Sequence, residues 1–134
     1  ILNGNEFDPT EFEFENLVGF VYCITDLSNN KKYIGKKGFW SRRKLKPLKG
    51  KTRNRIVRKE SDWREYHGSN EEVKLLVETH GSERFKREIL RLCRSKGEMS
   101  YFEAKEQFDK DVLLRDDYYN AFIGCKIHAK HLPK

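Results

Sequence analysis

The chain has 134 residues, of which 37% are hydrophobic and 13% aromatic, so it suits one domain with a buried core rather than a disordered segment. Its 28 Lys and Arg against 21 Asp and Glu give a formal net charge of +7, which by itself is common to nucleic-acid-binding, membrane-surface and merely soluble proteins. No apolar run approaches the roughly 20 residues of a membrane span, which argues against a membrane partner. The three cysteines form no regular disulfide framework, so we expect a reducing compartment such as the cytoplasm.

The charges are unevenly distributed along the chain. Residues 1–16 contain five acidic residues and no Lys or Arg, whereas residues 31–67 contain fifteen Lys and Arg against three acidic residues. Few apolar residues interrupt the basic stretch, so we expect an exposed loop that is either a solvated face or a surface that follows a phosphate backbone. The chain therefore divides into an acidic arm over residues 1–16, a globular domain over 17–124 and a basic tail over 125–134.

A β-hairpin is the first element that the pattern predicts after the arm. The arm itself, with the alternation Phe12-Glu13-Phe14-Glu15, predicts an edge strand or a packed extension. Leu17 to Thr25 is rich in β-branched and aromatic residues and predicts a strand, and Lys31 to Lys36 predicts its partner. The side chains between them hydrogen-bond locally in turns.

The hairpin register decides whether Tyr22 and Tyr33 lie on one face. A four-residue loop over Asp26–Asn29 pairs Thr25 with Asn30 and puts both tyrosines on the same face, whereas a loop that also includes Asn30 puts them on opposite faces. We expect the shared face.

The second half of the chain predicts helices around one further strand. A short helix is predicted over Phe39–Leu45, and Ser61-Asp62-Trp63 resembles a helix start. Ser69 or Asn70 is a suitable cap for a helix over Glu71–His80, which Gly81 ends. Phe85–Cys93 predicts a third strand, and Gly97 or Ser100 begins a helix that reaches about Arg115. The order is β-β-α-α-β-α, an α+β domain with a small, mostly antiparallel three-stranded sheet flanked by helices.

Two tripeptides carry a family resemblance. Phe20-Val21-Tyr22 and Tyr33-Ile34-Gly35, with eleven positions from one tyrosine to the next, resemble the two motifs of the GIY-YIG nuclease superfamily. Phe20 stands where the first motif has Gly, and the second motif matches fully. The resemblance covers about residues 17–124 and is completed by a downstream Arg (Arg42 or Arg43), a helical Glu103 and a late Asn120.

The resemblance implies a small stand-alone endonuclease of the phage or homing type, which hydrolyses DNA phosphodiester bonds at a single Mg²⁺ or Mn²⁺ site. Glu103 would hold the metal ion, and Arg43 would contact the phosphate oxygens. Tyr22 would orient or deprotonate the attacking water, with Lys36 as the cation that favours its phenolate. The implied catalytic set also includes Tyr33, His67 and Asn120.

Several assignments leave an alternative open. Arg42 could replace Arg43, and Glu106 could replace Glu103 as the metal ligand. His67 could be an ordinary loop residue, and Asn120 could end a helix. Cysteine and histidine side chains suggest a weaker alternative, a structural zinc site, formed by Cys93, Cys125, His128 and His131.

The expected partner is double-stranded DNA, and a C2 homodimer would place two sites on one duplex. Two other interpretations remain: a noncatalytic nucleic-acid-binding domain that retains the nuclease fold, and a structural or regulatory protein whose basic face binds an acidic protein. The cations expected to contact nucleic acid are Lys37, Arg42, Lys44, Lys46, Lys49, Lys51, Arg53, Arg55 and Arg58.

Overall fold

A three-stranded antiparallel sheet positions the other elements. The computed structural model describes residues 1–2, 5–53 and 55–124, and only the main chain of residue 43. Within this part, β1 is the central strand of the order β2-β1-β5, so the predicted α+β class and three-stranded sheet are confirmed. The elements in chain order are β1 (Gly19–Asp26), β2 (Lys31–Gly38), β3 (Trp40–Leu45), β4 (Arg55–Glu60), α1 (Glu71–His80), β5 (Phe85–Cys93) and α2 (Lys96–Asp109).

Each face of this sheet has its own hydrophobic core. The front face, which carries Phe20, Tyr22 and Ile24, packs against α1 through Val73 and against an aromatic cluster. The back face, which carries Val21 and Cys23, packs against α2. Phe20, at the position where the first motif has Gly, is buried and its ring lies 5.0 Å from that of Phe39. The departure from the motif therefore adds an aromatic side chain to the front core.

The hairpin of β1 and β2 has the predicted shared face but a different loop. Asp26 pairs with Lys31, so the loop is Leu27–Asn30 and not Asp26–Asn29. The register is shifted by two residues, which preserves the side-chain alternation and keeps the two tyrosines on the front face. Asn30 closes the loop with a φ of 58°, in the left-handed region that Asn adopts more readily than most residues.

The helix predicted over Phe39–Leu45 is wrong. That segment is β3, which pairs antiparallel with β4 in a separate two-stranded sheet. We call residues 40–60 the basic ribbon. The local pattern of β3 does not show this pairing, because its partner lies about ten residues further along the chain. No helix begins at Ser61-Asp62-Trp63 either, and the order is therefore β-β-β-β-α-β-α.

The later elements agree with the sequence except at the ends of α2. Helix α1 has the predicted bounds, and the Asn70 side chain accepts a hydrogen bond from the Val73 N–H at 3.1 Å. Strand β5 also has the predicted bounds. Helix α2 begins after Ser95, whose hydroxyl accepts from the Glu98 N–H at 3.0 Å, and it ends at Asp109 rather than near Arg115.

Over Phe12–Glu15 the acidic arm is a packed extension and not a strand, whereas its first two residues bridge the free edge of β5, where the Ile89 N–H donates to the Ile1 carbonyl at 2.6 Å. Its short 3₁₀ turns, Pro9–Glu11 and Phe14–Asn16, place aromatic rings on the front-face core. The ring of Phe14 lies 4.8 Å from that of Phe39. Burial of the aromatic side chains of the arm therefore outweighs the strand preference of the alternating pattern. The predicted tail over residues 125–134, including Cys125, lies outside the described residues. The division into arm, domain and tail stays a prediction.

Candidate active site

Two tyrosines meet above a glycine on the front face. The rings of Tyr22 and Tyr33 are 6.2 Å apart, and the Tyr22 hydroxyl lies over β2 where Gly35 has no side chain. A Cβ at Gly35 would lie 2.4 Å from the Tyr22 Oη. Gly68, with a φ of 93°, approaches from the loop before α1, where an added Cβ would lie 3.3 Å from the same oxygen. The two glycines therefore create the space that this hydroxyl occupies.

A third tyrosine, Tyr66, completes the aromatic group. Its ring lies 6.0 Å from that of Tyr22 in an edge-to-face arrangement. Lys37 places its ammonium 4.2 Å from the centre of the Tyr66 ring and 2.7 Å from Asp62 Oδ1. Sequence reasoning missed Tyr66 and chose its neighbour His67. The available signal was an aromatic residue two positions before Gly68.

His67 lies elsewhere. Its Nδ1 is 2.7 Å from the Glu65 carbonyl oxygen, and its ring packs against Phe85 at the end of β5 that pairs with Asp26. Burial lowers the pKa of His67, which keeps the ring neutral at physiological pH. The structure does not bring this side chain into the group around Tyr22, and its catalytic role stays a prediction.

Glu103 reaches the same area from the other side of β2. Helix α2 covers the back face, and the side chain of Glu103, 15% exposed, lies beside Lys36. The Lys36 main chain favours the charged form of this carboxylate, and the Lys36 ammonium is 4.0 Å from Oε1. Burial raises the pKa of Glu103 despite the lysine. The negative charge of Glu103 is a smaller contribution to the raised pKa values of Tyr22 and Tyr33, after burial of the two phenols.

The alternative ligand, Glu106, has a different environment. It forms an ion pair with Lys110 one turn further along α2. Glu103, by contrast, lies beside Lys36 on the strand that carries Tyr33. The geometry therefore favours Glu103 over Glu106 as the carboxylate of this site.

Lys36 does not favour the phenolate of Tyr22 as expected. Alternation along β2 places Lys36 on the back face, where its ammonium donates to Ser100 Oγ at 2.8 Å. Burial, followed by the neighbouring Tyr66 and Tyr33, raises the pKa of Tyr22 well above its usual range. Lys37 lies on the tyrosine face, but it is paired with Asp62. Tyr22 is therefore a neutral hydrogen-bonding group.

Asn120 fixes the free edge of β2. Its Oδ1 accepts from the Ile34 N–H at 3.0 Å, and its Nδ2 donates to the Ile34 carbonyl at 2.8 Å. Gln107 donates to the same carbonyl at 2.9 Å. These amides occupy an edge that would otherwise be open to pairing, and they hold Ile34 between Tyr33 and Gly35. Asn120 does not end a helix, since α2 ends eleven residues earlier at Asp109.

The donor set fits a Mg²⁺-type ion better than zinc. In the described part of the chain, no three His, Cys, Asp or Glu side chains group closely enough to hold a metal. Glu103 supplies one partly exposed carboxylate, and Mg²⁺ commonly binds one or two carboxylates together with water and substrate phosphate. Burial raises the pKa of Cys93 to about 12, which opposes the thiolate that zinc needs. The other members of the zinc alternative lie outside the described residues.

The cations expected to contact nucleic acid are mostly on the basic ribbon. Arg42 is exposed and lies opposite Arg58 in the β3–β4 register. The main chain of Arg43 pairs with Val57, and its side chain is outside the described part, so the choice between Arg42 and Arg43 remains open. The other ribbon cations are exposed: Lys44, Lys46, Lys49, Lys51, Arg53 and Arg55.

The chain matches the family model described as "Putative endonuclease segE, GIY-YIG domain" over residues 1–123. Because the match covers most of the chain, the protein belongs to this GIY-YIG family. The family is one of endonuclease domains, which implies nuclease activity on a nucleic-acid substrate. Comparisons with curated proteins and with solved structures gave no match. Neither helix of the described chain is long and apolar enough to cross a membrane.

Proposed function

We propose that the protein is a metal-dependent endonuclease that hydrolyses phosphodiester bonds of double-stranded DNA at a single Mg²⁺-type site. The observation that carries this proposal is the meeting of Tyr22 and Tyr33 above Gly35, with Glu103 beside Lys36, the next residue of β2. The family match supports the nuclease class. The raised pKa of Glu103 supports the metal, because a cation near a poorly compensated carboxylate restores its charged form.

Glu103 would hold the metal ion, Mg²⁺ or Mn²⁺. When bound, the ion supplies positive charge beside the phosphate and stabilises the leaving oxygen. Because the pKa of Glu103 is raised, binding of the ion and proton compete at mildly acidic pH. We expect cleavage to fall as the pH is lowered from neutral towards 5.

Tyr22 would orient the attacking water as a neutral phenol. Its raised pKa disfavours the alternative in which it removes the proton. Tyr33, whose hydroxyl lies 3.3 Å from Ser69 Oγ, supplies a second oriented hydroxyl on the same face. Asn120 is a positioning residue that acts through Ile34, and Arg43 would bind the phosphate.

The test is cleavage of a supercoiled plasmid in Mg²⁺, Mn²⁺ or EDTA by the wild type, Glu103→Gln and Glu106→Gln. We expect metal-dependent nicking or linearisation that Glu103→Gln slows by on the order of 10²–10³-fold, the size of effect seen when one charge-stabilising group is lost. Glu106→Gln is the matched control on the same helix and should cleave like the wild type. Equal activity of Glu103→Gln and wild type would refute the metal assignment.

A noncatalytic nucleic-acid-binding domain is the second candidate, and the raised pKa of Tyr22 is the observation that favours it. It predicts DNA binding without cleavage by the wild type in any metal.

A comparison of plasmid, single-stranded DNA and RNA as substrates identifies the nucleic acid that the enzyme prefers. Sedimentation with and without a duplex shows whether two copies assemble, as a homodimer that cuts both strands requires.

A further inference from the structure

The basic ribbon carries positive charge that carboxylates of the described residues leave largely unpaired. Over residues 40–60 the chain has ten Lys and Arg and one acidic residue, Glu60. In the part of the chain that the structure describes, none of the following side chains lies within 4.0 Å of a carboxylate oxygen: Arg42, Lys44, Lys46, Lys49, Lys51, Arg53 and Arg55. Arg42 lies directly opposite Arg58, an arrangement that costs stability.

The shape of the ribbon suits a DNA groove. Strands β3 and β4 each have six residues, so the paired part is about 20 Å long at about 3.4 Å per residue. Within the described residues these strands pair only with each other, and every residue of β4 is exposed. The major groove of B-DNA, about 12 Å wide, admits a two-stranded β-ribbon directly, whereas the minor groove, about 6 Å wide, must be deformed to accept one.

Apolar side chains lie among the cations of the ribbon. Ile56 is 61% exposed and lies on the same face as Arg42 and Lys44, while Val57 and Leu45 lie on the other face. A surface that only served solubility would gain nothing from an exposed Ile. The floor of the major groove presents both hydrogen-bond acceptors and thymine methyl groups, which match cations and apolar side chains respectively.

The base of the ribbon is fixed to the three-stranded sheet that carries the candidate active site. The Trp40 indole N–H donates to the Leu17 carbonyl at 2.8 Å, and the Arg58 guanidinium lies 4.0 Å from the Trp40 ring centre. Ser61 Oγ donates to the Gly38 carbonyl at 2.6 Å at the other end of the base. Only Phe39 separates β3 from β2, the strand that carries Tyr33 and Gly35. A duplex held by the ribbon is therefore held at a defined position relative to the tyrosines.

We propose that the basic ribbon enters the major groove of duplex DNA, with Lys44 and Arg55 among its contacts to the phosphates of the groove walls. This proposal rests on the proposed function, because the bound duplex is taken to be the substrate of the endonuclease. Binding is nevertheless separable from cleavage, because the ribbon lies outside the group around Gly35.

The test measures binding of a short fluorescent duplex by anisotropy in EDTA, over a series of salt concentrations. Lys44→Gln/Arg55→Gln removes two ribbon charges, and Lys74→Gln/Lys105→Gln removes two charges from exposed helix positions as the control. We expect the ribbon variant to reduce the salt dependence, the slope of log K against log salt, by about two, close to 0.9 per lost phosphate contact. The control should change that slope by much less.

Groove-specific competitors identify the groove. Methyl green, a major-groove ligand, should displace the wild type, and netropsin, a minor-groove ligand, should not. Displacement by netropsin alone, or an unchanged salt slope in the ribbon variant, would overturn the ribbon proposal even if plasmid cleavage is observed. A ribbon-dependent slope with methyl green displacement, but no cleavage in any metal, would uphold the ribbon and reject the nuclease.

Discussion

Two carboxylates at opposite ends of the β1–β2 hairpin have pKa values shifted in opposite directions. Asp26, at the loop end, is fully buried and accepts two hydrogen bonds from the Arg84 guanidinium, at 2.8 and 2.9 Å. It also accepts from the hydroxyls of Ser28 and Tyr119, and these donors hold the pKa of Asp26 well below its usual range. Glu103, at the open end, is 15% exposed, and its pKa is raised.

The difference separates a structural carboxylate from a candidate functional one. At the loop end, the charge of Asp26 is compensated by hydrogen bonds from the protein itself, so this carboxylate needs no ligand. At the open end, Glu103 has the Lys36 main chain and an ammonium at 4.0 Å, which do not offset the cost of burial. Groups held in this state are concentrated at functional sites, where substrate or metal supplies the missing compensation.

The largest expected effect is on stability, at the loop end. Asp26→Ala should lower the free energy of unfolding by about 3 kcal/mol, the lower part of the range for removing one member of a buried ion pair, because Arg84 is still 24% exposed. Urea unfolding measures this change. Asp117→Ala removes the carboxylate of an exposed pair with Arg115 and should have little effect. Cleavage per folded molecule should survive both substitutions.

The stability of the wild type at acidic pH should depend on the ionisation of Asp26. Because the pKa of Asp26 is lower in the folded chain than in the unfolded chain, its contribution is complete above the unfolded value of about 4 and is lost as the pH falls below it. The difference in stability between wild type and Asp26→Ala should therefore narrow below about pH 4. A difference that stays constant to pH 2 would contradict the role of the charge.

The next largest effect is expected at Gly35. Alanine there places a Cβ on the Tyr22 hydroxyl, and displacement of a catalytic group by about 1 Å costs on the order of 10²-fold in rate. Gly38→Ala is the control on the same strand, because its Cβ would meet no atom closer than 3.6 Å. Plasmid cleavage in Mg²⁺ compares the two variants, with duplex binding in EDTA expected to be unchanged. Similar activity of both variants would show that the position of Tyr22 is unimportant.

A smaller effect is expected at Arg87, which fixes the loop that carries Tyr66 and Gly68. Its guanidinium donates to the carbonyls of Trp63, Arg64 and Tyr66. Arg87→Lys keeps the charge but cannot hold three carbonyls at once, so we expect cleavage to fall on the order of tenfold, as for other residues that orient a site.

The readout that identifies a positioning role at Arg87 is kcat. It should fall while the affinity for duplex DNA is unchanged, and Lys86→Arg, its exposed neighbour, should behave like the wild type. A wild-type kcat in Arg87→Lys would mean that the loop holds Tyr66 without this cation.

Elements with local signals were predictable from the sequence. The Asn70 cap, the spacing of apolar residues in α1 and the Gly81 stop are all local, and both ends of that helix are correct. The shared face of Tyr22 and Tyr33 was also predictable, because side-chain alternation survives a register shift of two residues. Strand β3 was not predictable in this way, since its Arg- and Lys-rich sequence becomes a strand through pairing with β4.

The candidate site was predictable in part for the same reason. Motif residues indicated Tyr22, Tyr33 and Glu103, but no spacing along the chain shows that Tyr66 and not His67 lies against Tyr22. The sequence predicted a lowered pKa for Tyr22, because Lys36 was expected beside it. Burial of the phenol raises that pKa instead, and burial depends on segments that are distant along the chain.

The smallest expected effect distinguishes the two carboxylates directly. Because the pKa of Glu103 is raised in the folded chain, its contribution favours folding when protonated and is lost as the pH rises through the folded pKa. In EDTA, Glu103→Gln should therefore melt slightly above the wild type at pH 7, and the difference should shrink towards pH 4. Glu106→Gln loses its ion pair with Lys110 and should show no such gain.

Mg²⁺ should reverse that order. A ligand that binds only the folded state raises its stability, so the wild type should gain in Mg²⁺ at pH 7 while Glu103→Gln does not. A wild type that melts above Glu103→Gln at pH 7 even in EDTA would make Glu103 a structural partner of the Lys36 main chain, as Asp26 is of its own donors. A gain in both proteins would move the metal to another group. Only a reversed order of melting temperatures would support Glu103 as a carboxylate that destabilises the folded chain unless a metal ion is bound.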